Sequence, residues 1–114
     1  MLSKQNRLQK DREFSKVFRS SRPFFAGNIV VRAMKRPDSK PSRFGFVISN
    51  KIDKRATRRN ALKRRLRSSV RELLPLKDGF NVVIMVKQNY PFPYQFDEIK
   101  EDVKEALIKS QVLL

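Results

Sequence analysis

The residues of this chain best suited to chemistry are the cations of one short stretch, Lys54 to Arg71. Nine of its eighteen residues are Lys or Arg, and none is Asp or Glu. Because no acid within the stretch neutralises these charges, the stretch is suited to binding an anion. A run of charge is also typical of solvated helices and disordered tails, so the spacing of its apolar residues has to decide between a folded and an unfolded segment.

The apolar residues of this stretch recur with the period of an α-helix. At about 100° per residue they fall within an arc of about 80°, the stripe that an amphipathic helix buries: Leu62, Leu66, Val70 and Leu73. A second arc, roughly 100° to 200° further round, carries Asn60, Lys63, Arg64, Arg67 and Arg71. A disordered tail would not keep this period, so the pattern predicts a docked helix with one basic face. Thr57 is its expected N-cap, and Pro75 is expected to end it.

The residue types needed for most catalytic sites are absent. The chain has no His and no Cys, which removes the usual general bases, thiol nucleophiles and soft metal ligands. Its carboxylates are scattered or belong to a helix face typical of solvent exposure, and there is no phosphate-binding loop, dinucleotide fingerprint or zinc spacing. We therefore expect no catalytic residue and no metal site in the protein, so that any catalyst is supplied by a partner.

The charge of the whole chain, +16 on 114 residues, predicts a polyanionic partner. Residues 1 to 94 hold 24 basic and 6 acidic residues, whereas residues 95 to 114 hold 3 and 5, so the C-terminal segment is expected to face away from that partner. Membrane-surface helices expose an apolar face, but here the apolar faces are needed for a core. No apolar run approaches the about 20 residues of a membrane helix. We expect one cytoplasmic domain spanning residues 1 to 114.

The elements before the basic stretch are predicted from periodicity and turn residues. A helix is expected from Leu8 to Arg19, with Phe14 and Phe18 on one face. The two rings either belong to the core or line a groove and stack on unpaired bases, and the surrounding cations favour the groove without deciding it. Strands are expected at Asn28 to Met34 and at Arg43 to Ser49, antiparallel and joined by an exposed hairpin loop.

The second of these strands has a face of small and polar residues. Gly45 and Ser49 lie on that face, which leaves room either for a ligand or for a thin patch of core. After the basic helix, Phe80 to Lys87 is typical of a strand buried on both faces. Strand, helix and strand at this spacing predict a parallel βαβ unit. A packed loop from Tyr90 and a helix from Asp97 to Gln111 complete the chain, the helix facing inward with Phe96, Ile99, Val103 and Leu107.

Motifs in several parts of the chain match those of one family in the same order. Arg59 to Arg67 fits the pattern R-N-x-x-K-R-x-x-R, and Arg71-Glu72 follows it. The other matching segments are Asn6-Arg7-Leu8, Glu13 to Phe18, Arg43 to Phe46 and Ile48 to Lys51. Over nearly its whole length the chain thus resembles the protein subunit of bacterial ribonuclease P.

The resemblance implies an α+β fold, a two-layer α/β sandwich in the order α-β-β-β-α-β-α, similar to the second domain of ribosomal protein S5. In that fold the basic helix lies in a left-handed βαβ crossover, whereas general base rates favour a right-handed one. The small extra strand of the family is expected near Asn50 to Asp53.

The resemblance also implies a function. In this family a large RNA performs the cleavage with Mg²⁺ and removes the 5′ leader of precursor tRNA, and the protein binds both RNAs. We accordingly expect the catalytic RNA and precursor tRNA as partners, no protein partner, and Mg²⁺ held mainly by the RNAs. The residues that match catalytic-RNA contacts are Arg58, Arg59, Asn60, Lys63, Arg64, Arg67 and Arg71. Those that match the leader-binding cleft are Phe14, Phe18, Arg32, Ser49 and Lys51.

Three positions depart from the family pattern. Ala61 replaces the third member of an R-N-R core, so one phosphate contact is missing or is taken over by Arg58. Arg32 stands where relatives often carry an aromatic, which suggests charge pairing with the leader in place of stacking. The segment Asp53 to Arg55 lacks the usual Gly and is one residue longer, so the approach to the basic helix is expected to differ.

Two other classes of function are compatible with parts of this sequence. A structural or chaperoning RNA binder, such as a ribosomal protein, shares the charge and can share the fold. A nuclease made of protein alone would need catalytic side chains, and the absence of His and the scattered carboxylates argue against it. A preference for precursor over mature tRNA would distinguish a ribonuclease P subunit from a structural RNA binder. Cleavage by the purified protein without RNA would indicate a nuclease made of protein alone.

Overall fold

The computed structural model describes residues 6–36, 40–49, 51–73, 79–87, 90 and 93–110, and the helices and strands within these ranges follow the predicted order. They are α1 (Asp11–Ser20), β1 (Phe24–Ala26), β2 (Ile29–Lys35), β3 (Arg43–Val47), α2 (Ala56–Leu73), β4 (Phe80–Val86) and α3 (Phe96–Lys109). The predicted α+β class is therefore confirmed.

The described strands form one sheet in the order β1-β2-β4-β3. β4 pairs antiparallel with β2 and parallel with β3, which confirms the parallel βαβ unit of β3, α2 and β4. β2 and β3 run in opposite directions, but the predicted hairpin between them is wrong, because β4 lies between them. Val82, Val83 and Ile84 of β4 are fully buried, and a strand that is apolar on both faces gains most at the centre of a sheet. The left-handed crossover stays a prediction.

Helices cover both faces of this sheet. On one face Leu62 and Leu66 of α2 join Ile84 in the main core, together with α3. On the other face Val17 of α1 covers Val83. Because successive strand residues point to opposite faces, α1 and α2 are separated by the sheet. Side chains of the two helices come together around the edge strand β3, where Phe14 and Arg67 line one cavity.

The segment before α1 lies along that edge. The Leu8 backbone N–H donates to the Phe44 carbonyl at 3.0 Å, and Arg7 forms a parallel bridge with Phe44. The prediction that the first helix begins at Leu8 is therefore wrong. It begins at Asp11, where the Glu13 carboxylate accepts the Lys10 backbone N–H at 3.3 Å. Pairing with an otherwise open strand edge competes successfully with the helix for these residues.

The small extra strand is β1, and its predicted place near Asn50 to Asp53 is wrong. Lys51 and Ile52 form a turn in which the Ile52 N–H donates to the Ser49 carbonyl at 3.1 Å, and Asn50 lies outside the described residues. β1 instead pairs antiparallel with β2 through a turn at Gly27, which has φ +54°. A side chain at Gly27 would also collide with the Asp102 carboxylate on α3.

The two long helices differ from prediction mainly at their ends. α2 begins at Ala56, so Thr57 lies in its first turn and is not the N-cap. Its last described residue is Leu73, and Pro75, which was predicted to end it, lies outside the described residues. α3 buries Ile99, Val103 and Leu107 completely as predicted, while Phe96 is half-buried and Gln111 lies outside the described residues. Tyr90 and Tyr94 of the preceding loop are buried edge to face, with ring centroids 4.9 Å apart.

Candidate nucleic-acid interface

The face of α2 opposite the core is rich in cations, as the helical period predicted. Leu62, Leu66 and Val70 have no exposed surface. The predicted RNA-binding residues on the other side are exposed or half-buried: Asn60, Arg64, Arg67 and Arg71 are exposed, and Arg58, Arg59 and Lys63 are half-buried. The described part of α2 thus presents a basic arc to solvent while its apolar stripe fixes it to the sheet.

The N-terminal end of α2 is held by the segment before it. The Arg59 guanidinium donates to the carbonyls of Asp53 and Lys54, at 2.9 and 3.1 Å. The Arg58 guanidinium lies 3.8 Å from the Asp53 carboxylate, which also accepts the Tyr94 hydroxyl at 3.1 Å. The segment from Asp53 to Arg55 therefore caps the N-terminal end of the basic helix. Arg58 and Arg59 serve this cap as well as the basic arc.

The Asp53 carboxylate is the charged centre of this cap. It accepts the Arg55 backbone N–H at 2.9 Å. This hydrogen bond is the largest cause of a lowered pKa at Asp53, followed by opposing desolvation and by the Tyr94 hydroxyl. Burial, and then the hydrogen bond to Asp53, raise the pKa of Tyr94. A charged Asp53 and a neutral Tyr94 hydroxyl are therefore the paired forms at neutral pH.

Replacing Asp53 by Asn is expected to lower the free energy of unfolding at neutral pH. Because the pKa of Asp53 is lower in the folded chain, its charge stabilises the fold above the unfolded-state pKa of about 3.9, and the contribution is lost as pH falls through the folded-state pKa. Urea unfolding at several pH values should show the difference from wild type shrinking below about pH 4. Glu101→Gln, at an exposed site on α3, is the control, and a difference that does not change with pH would contradict the assignment.

Arg65 is a cation of the basic stretch that points elsewhere. Its guanidinium donates to the Tyr94 carbonyl, and its own carbonyl accepts the hydroxyl of buried Ser69 at 2.8 Å. It ties α2 to the loop before α3.

Phe14 and Arg67, predicted for different RNAs, line one cavity at the edge of the sheet. The cavity has a volume of about 280 Å³ and also contacts Gly45 and Phe46 of β3. The Arg67 guanidinium lies 6.0 Å from the centroid of the Phe46 ring, within reach of a cation–π contact. The basic arc of α2 and the aromatic face of α1 are thus joined around β3.

The Phe14 ring packs directly against Gly45. A Cβ built at Gly45 would overlap the edge of the Phe14 ring and lie 3.2 Å from the Leu8 Cβ. The room predicted on this face of β3 is therefore taken by an aromatic side chain. Phe14 is half-buried as a result, and it belongs partly to the core and partly to the open cavity.

Gly45→Ala is expected to displace Phe14 and to lower the free energy of unfolding by about 1 to 3 kcal/mol, the usual cost of overpacking. The same change should cost clearly less when Phe14 is already alanine. A double-mutant cycle of Gly45→Ala and Phe14→Ala, measured by urea unfolding, reports this coupling. Strictly additive free energies would show that the ring does not rest on Gly45.

Phe18 and Arg32 form a second aromatic and cationic pair on the same side of the sheet. Phe18 is 39% exposed. The Arg32 guanidinium lies 5.5 Å from its ring centroid and donates to the Ser21 carbonyl at 2.8 Å. The structure thus brings together two of the predicted cleft residues. Phe18 offers an exposed aromatic ring, and Arg32 offers a positive charge held in place by its hydrogen bond.

Ser49 and Lys51, the other predicted cleft residues, are exposed beyond the end of β3. The Ser49 hydroxyl accepts the Lys51 backbone N–H at 3.1 Å. Neither residue lines the cavity beside Phe14. Their place in a common cleft with Phe14 stays a prediction.

A further group of cations was missed by the motif-based prediction. It lines a cavity of about 580 Å³ at the N-terminal end of α1, next to the loop between β2 and β3, and consists of Arg7, Lys10, Arg36, Lys40 and Arg43. These residues come from two stretches of the chain, 7–10 and 36–43, which are far apart in sequence. Only their folded arrangement brings them together, so the sequence carried no local signal for them.

The described residues contain no group of three acids placed to hold a metal ion. On α3, Glu105 pairs with Lys109 at 3.4 Å, and Lys100 pairs with Glu72 of α2 at 2.8 Å. The half-buried Asp102 carboxylate accepts a hydrogen bond from the Asn28 backbone, and burial raises its pKa. Among the described helices none is long and apolar enough to cross a membrane.

Comparison with known proteins identifies a family. The family model for ribonuclease P matches residues 2–111. Proteins described as ribonuclease P protein component are similar to the chain over most of both lengths. That of Rippkaea orientalis is 33% identical, covering 98% of this chain and 91% of its own. That of a Pseudanabaena species is 34% identical, covering 99% and 97%.

Solved structures share the fold. The ribonuclease P protein of Staphylococcus aureus superposes with a TM-score of 0.86, covering 97% of this chain and 100% of its own at 18% identity. That of Thermotoga maritima gives a TM-score of 0.71 at 26% identity, covering 93% and 94%.

Proposed function

The chain belongs to the ribonuclease P protein family, the subunits of a tRNA-processing endoribonuclease, and we propose that it acts there by binding two RNA segments. Its α2 face binds the catalytic RNA, and its α1 face binds the 5′ leader of precursor tRNA. The observation that carries this proposal is the cavity that Phe14 and Arg67 share at the edge of the sheet. Around this cavity one continuous surface offers charge on one side and aromatic rings on the other.

The basic arc is suited to the catalytic RNA. Cations that neutralise phosphates release counterions, and this supplies sequence-independent affinity. The residues assigned to this contact are Arg58, Arg59, Asn60, Lys63, Arg64, Arg67 and Arg71. Because α2 is fixed by its buried stripe and by the Asp53 cap, these side chains project from a rigid element. Ala61 supplies no contact, and Arg58 also pairs with Asp53, so the contacts at this end are fewer than in the family pattern.

The α1 face is suited to an unpaired strand. Aromatic side chains stack on bases without regard to sequence, and each stack contributes about 1 to 3 kcal/mol. Phe14 and Phe18 are the aromatic residues assigned to the leader. Arg32, Ser49 and Lys51 are assigned to its phosphates. Mature tRNA lacks the leader, so these residues give a preference for precursor over mature tRNA.

We assign the chemical step to the RNA and not to this chain. No group of three acids among the described residues is placed to hold a metal ion. We also propose that Mg²⁺ is held mainly by the catalytic RNA and the substrate. The protein lowers the need for this ion indirectly, since its cations screen repulsion between phosphates of the two RNAs. A cytoplasmic location and the lack of a protein partner remain predictions.

Reconstitution with the cognate catalytic RNA tests this function. The rate of 5′ maturation of precursor tRNA is measured at low Mg²⁺ with and without the protein, and with the protein alone. We expect the protein to stimulate the RNA and to show no activity by itself. No stimulation would contradict the proposal, and cleavage by the protein alone would indicate a nuclease made of protein.

A further inference from the structure

We propose that the second group of cations, which we call the loop pocket, binds backbone phosphates of the catalytic RNA. The loop pocket consists of Arg7, Lys10, Arg36, Lys40 and Arg43. The inference rests on the proposed function, because it extends the RNA-binding surface beyond α2. It adds a contact that the signature of the basic helix does not include.

The composition of the loop pocket favours an anion. Among the described residues, five cations and no acid line its cavity of about 580 Å³, together with Gln9 and Pro41. The Glu13 carboxylate offsets part of this charge through its ion pair with Arg43. Clefts lined by charge of one sign concentrate the field and attract ligands of the opposite sign. A membrane is less well suited, since membrane-binding surfaces need an exposed apolar face and the described part of the lining has Pro41 as its one apolar residue.

Two of its guanidinium groups are held in place by the fold. Arg36 is 9% exposed, and its guanidinium donates to the Pro41 carbonyl at 2.7 Å while its backbone N–H donates to Gly79. The Arg43 guanidinium donates to the Glu13 carboxylate at 2.6 Å. A guanidinium carries five N–H donors in a rigid fork that matches phosphate. Side chains fixed in this way lose less entropy when they bind.

The loop pocket is continuous with the surface already assigned to RNA. Arg7 and Gln9 line both it and the cavity beside Phe14 and Arg67. Arg7 is positioned by its bridge to β3, the strand around which the two faces meet. A cationic path therefore runs from α2, over the edge of β3, to the loop pocket. This continuity favours an RNA strand as the occupant.

Lys10 and Lys40 are the residues to replace, since Arg36 and Arg43 also support the fold. Lys10→Ala with Lys40→Ala is compared with Lys104→Ala with Lys109→Ala, which removes two cations from α3. Binding of the cognate catalytic RNA is measured over a series of salt concentrations. Two lost phosphate contacts should reduce the slope of log K against log salt by about 1.4 to 1.8, equivalent to about 25- to 60-fold at 0.1 M salt. The control should keep the wild-type slope.

Two further variants keep the outcomes distinct. Lys10→Arg with Lys40→Arg retains the charge, so it should bind like wild type even if the alanine variant folds poorly. Lys63→Ala with Arg64→Ala reports on α2. If the slope of log K against log salt decreases only in the α2 variant, the loop pocket binds no RNA and the proposed function stands. If neither variant loses slope, the proposed function fails as well, and failure of the arginine variant to bind like wild type also counts against the loop pocket.

Discussion

Phe14→Ala combined with Phe18→Ala is expected to remove most of the preference of the reconstituted enzyme for precursor over mature tRNA. Each ring is assigned to one leader base, and a stack contributes about 1 to 3 kcal/mol. Loss of two stacks should therefore weaken precursor binding by about 30-fold or more. Binding of mature tRNA should change little, because it has no leader to lose.

The measurement is the ratio of the dissociation constants for the two tRNAs in the presence of the catalytic RNA. Phe25→Ala is the matched control, since Phe25 is 48% exposed on β1 and lies under Lys87, with 5.3 Å between the ammonium and the ring centroid. Phe18→Ala alone separates stacking from packing, because Phe14 also rests on Gly45. An equal loss of affinity for both tRNAs would contradict the assignment of the rings to the leader.

Removing three cations from the basic arc, with Lys63→Ala, Arg64→Ala and Arg67→Ala, is expected to weaken binding of the catalytic RNA severely. Three lost phosphate contacts correspond to a decrease of about 2.1 to 2.7 in the salt slope, and to about 100- to 500-fold in affinity at 0.1 M salt. The fold should persist, since these side chains lie outside the apolar stripe and only Arg67 contacts a ring.

The control replaces Lys100, Lys104 and Lys109 of α3 by alanine, so it has the same net charge as the α2 variant. If the loss of affinity comes from net charge alone, both variants should behave alike. If it comes from specific contacts with α2, the control should keep most of the wild-type slope. An unchanged slope in the α2 variant would show that the basic arc does not meet RNA phosphates.

The helix α2 was predictable because its signal is local. The apolar period of Leu62, Leu66 and Val70 alone determines which face is buried, and the opposite face follows from geometry. The parallel pairing of β3 and β4 was predictable for a similar reason, since a helix connects them. The position of β4 between β2 and β3 was not, because strand order depends on contacts between distant segments. β1, with only three residues between Pro23 and Gly27, gave too short a pattern to recognise.

The candidate site shows the same division between local and distant information. The sequence indicated room beside Gly45 but not that Phe14 fills it, because the two residues meet only after α1 packs on the sheet. The use of Arg58 and Arg59 in the Asp53 cap depends on the path of the chain before α2, which carries no periodic signal. The loop pocket joins segments that are far apart in sequence, so no motif of fixed spacing could describe it.

Site-directed crosslinking tests the division of labour between the two faces most directly. A photoreactive benzoyl-phenylalanine is placed at the position of Phe18 in one protein and at that of Arg64 in another, and each is reconstituted with the catalytic RNA and precursor tRNA. Position 18 should crosslink to nucleotides of the 5′ leader, and position 64 to the catalytic RNA. Crosslinks from position 18 to the catalytic RNA alone, or from position 64 to the leader, would contradict the assignment of α1 to the leader and of α2 to the catalytic RNA.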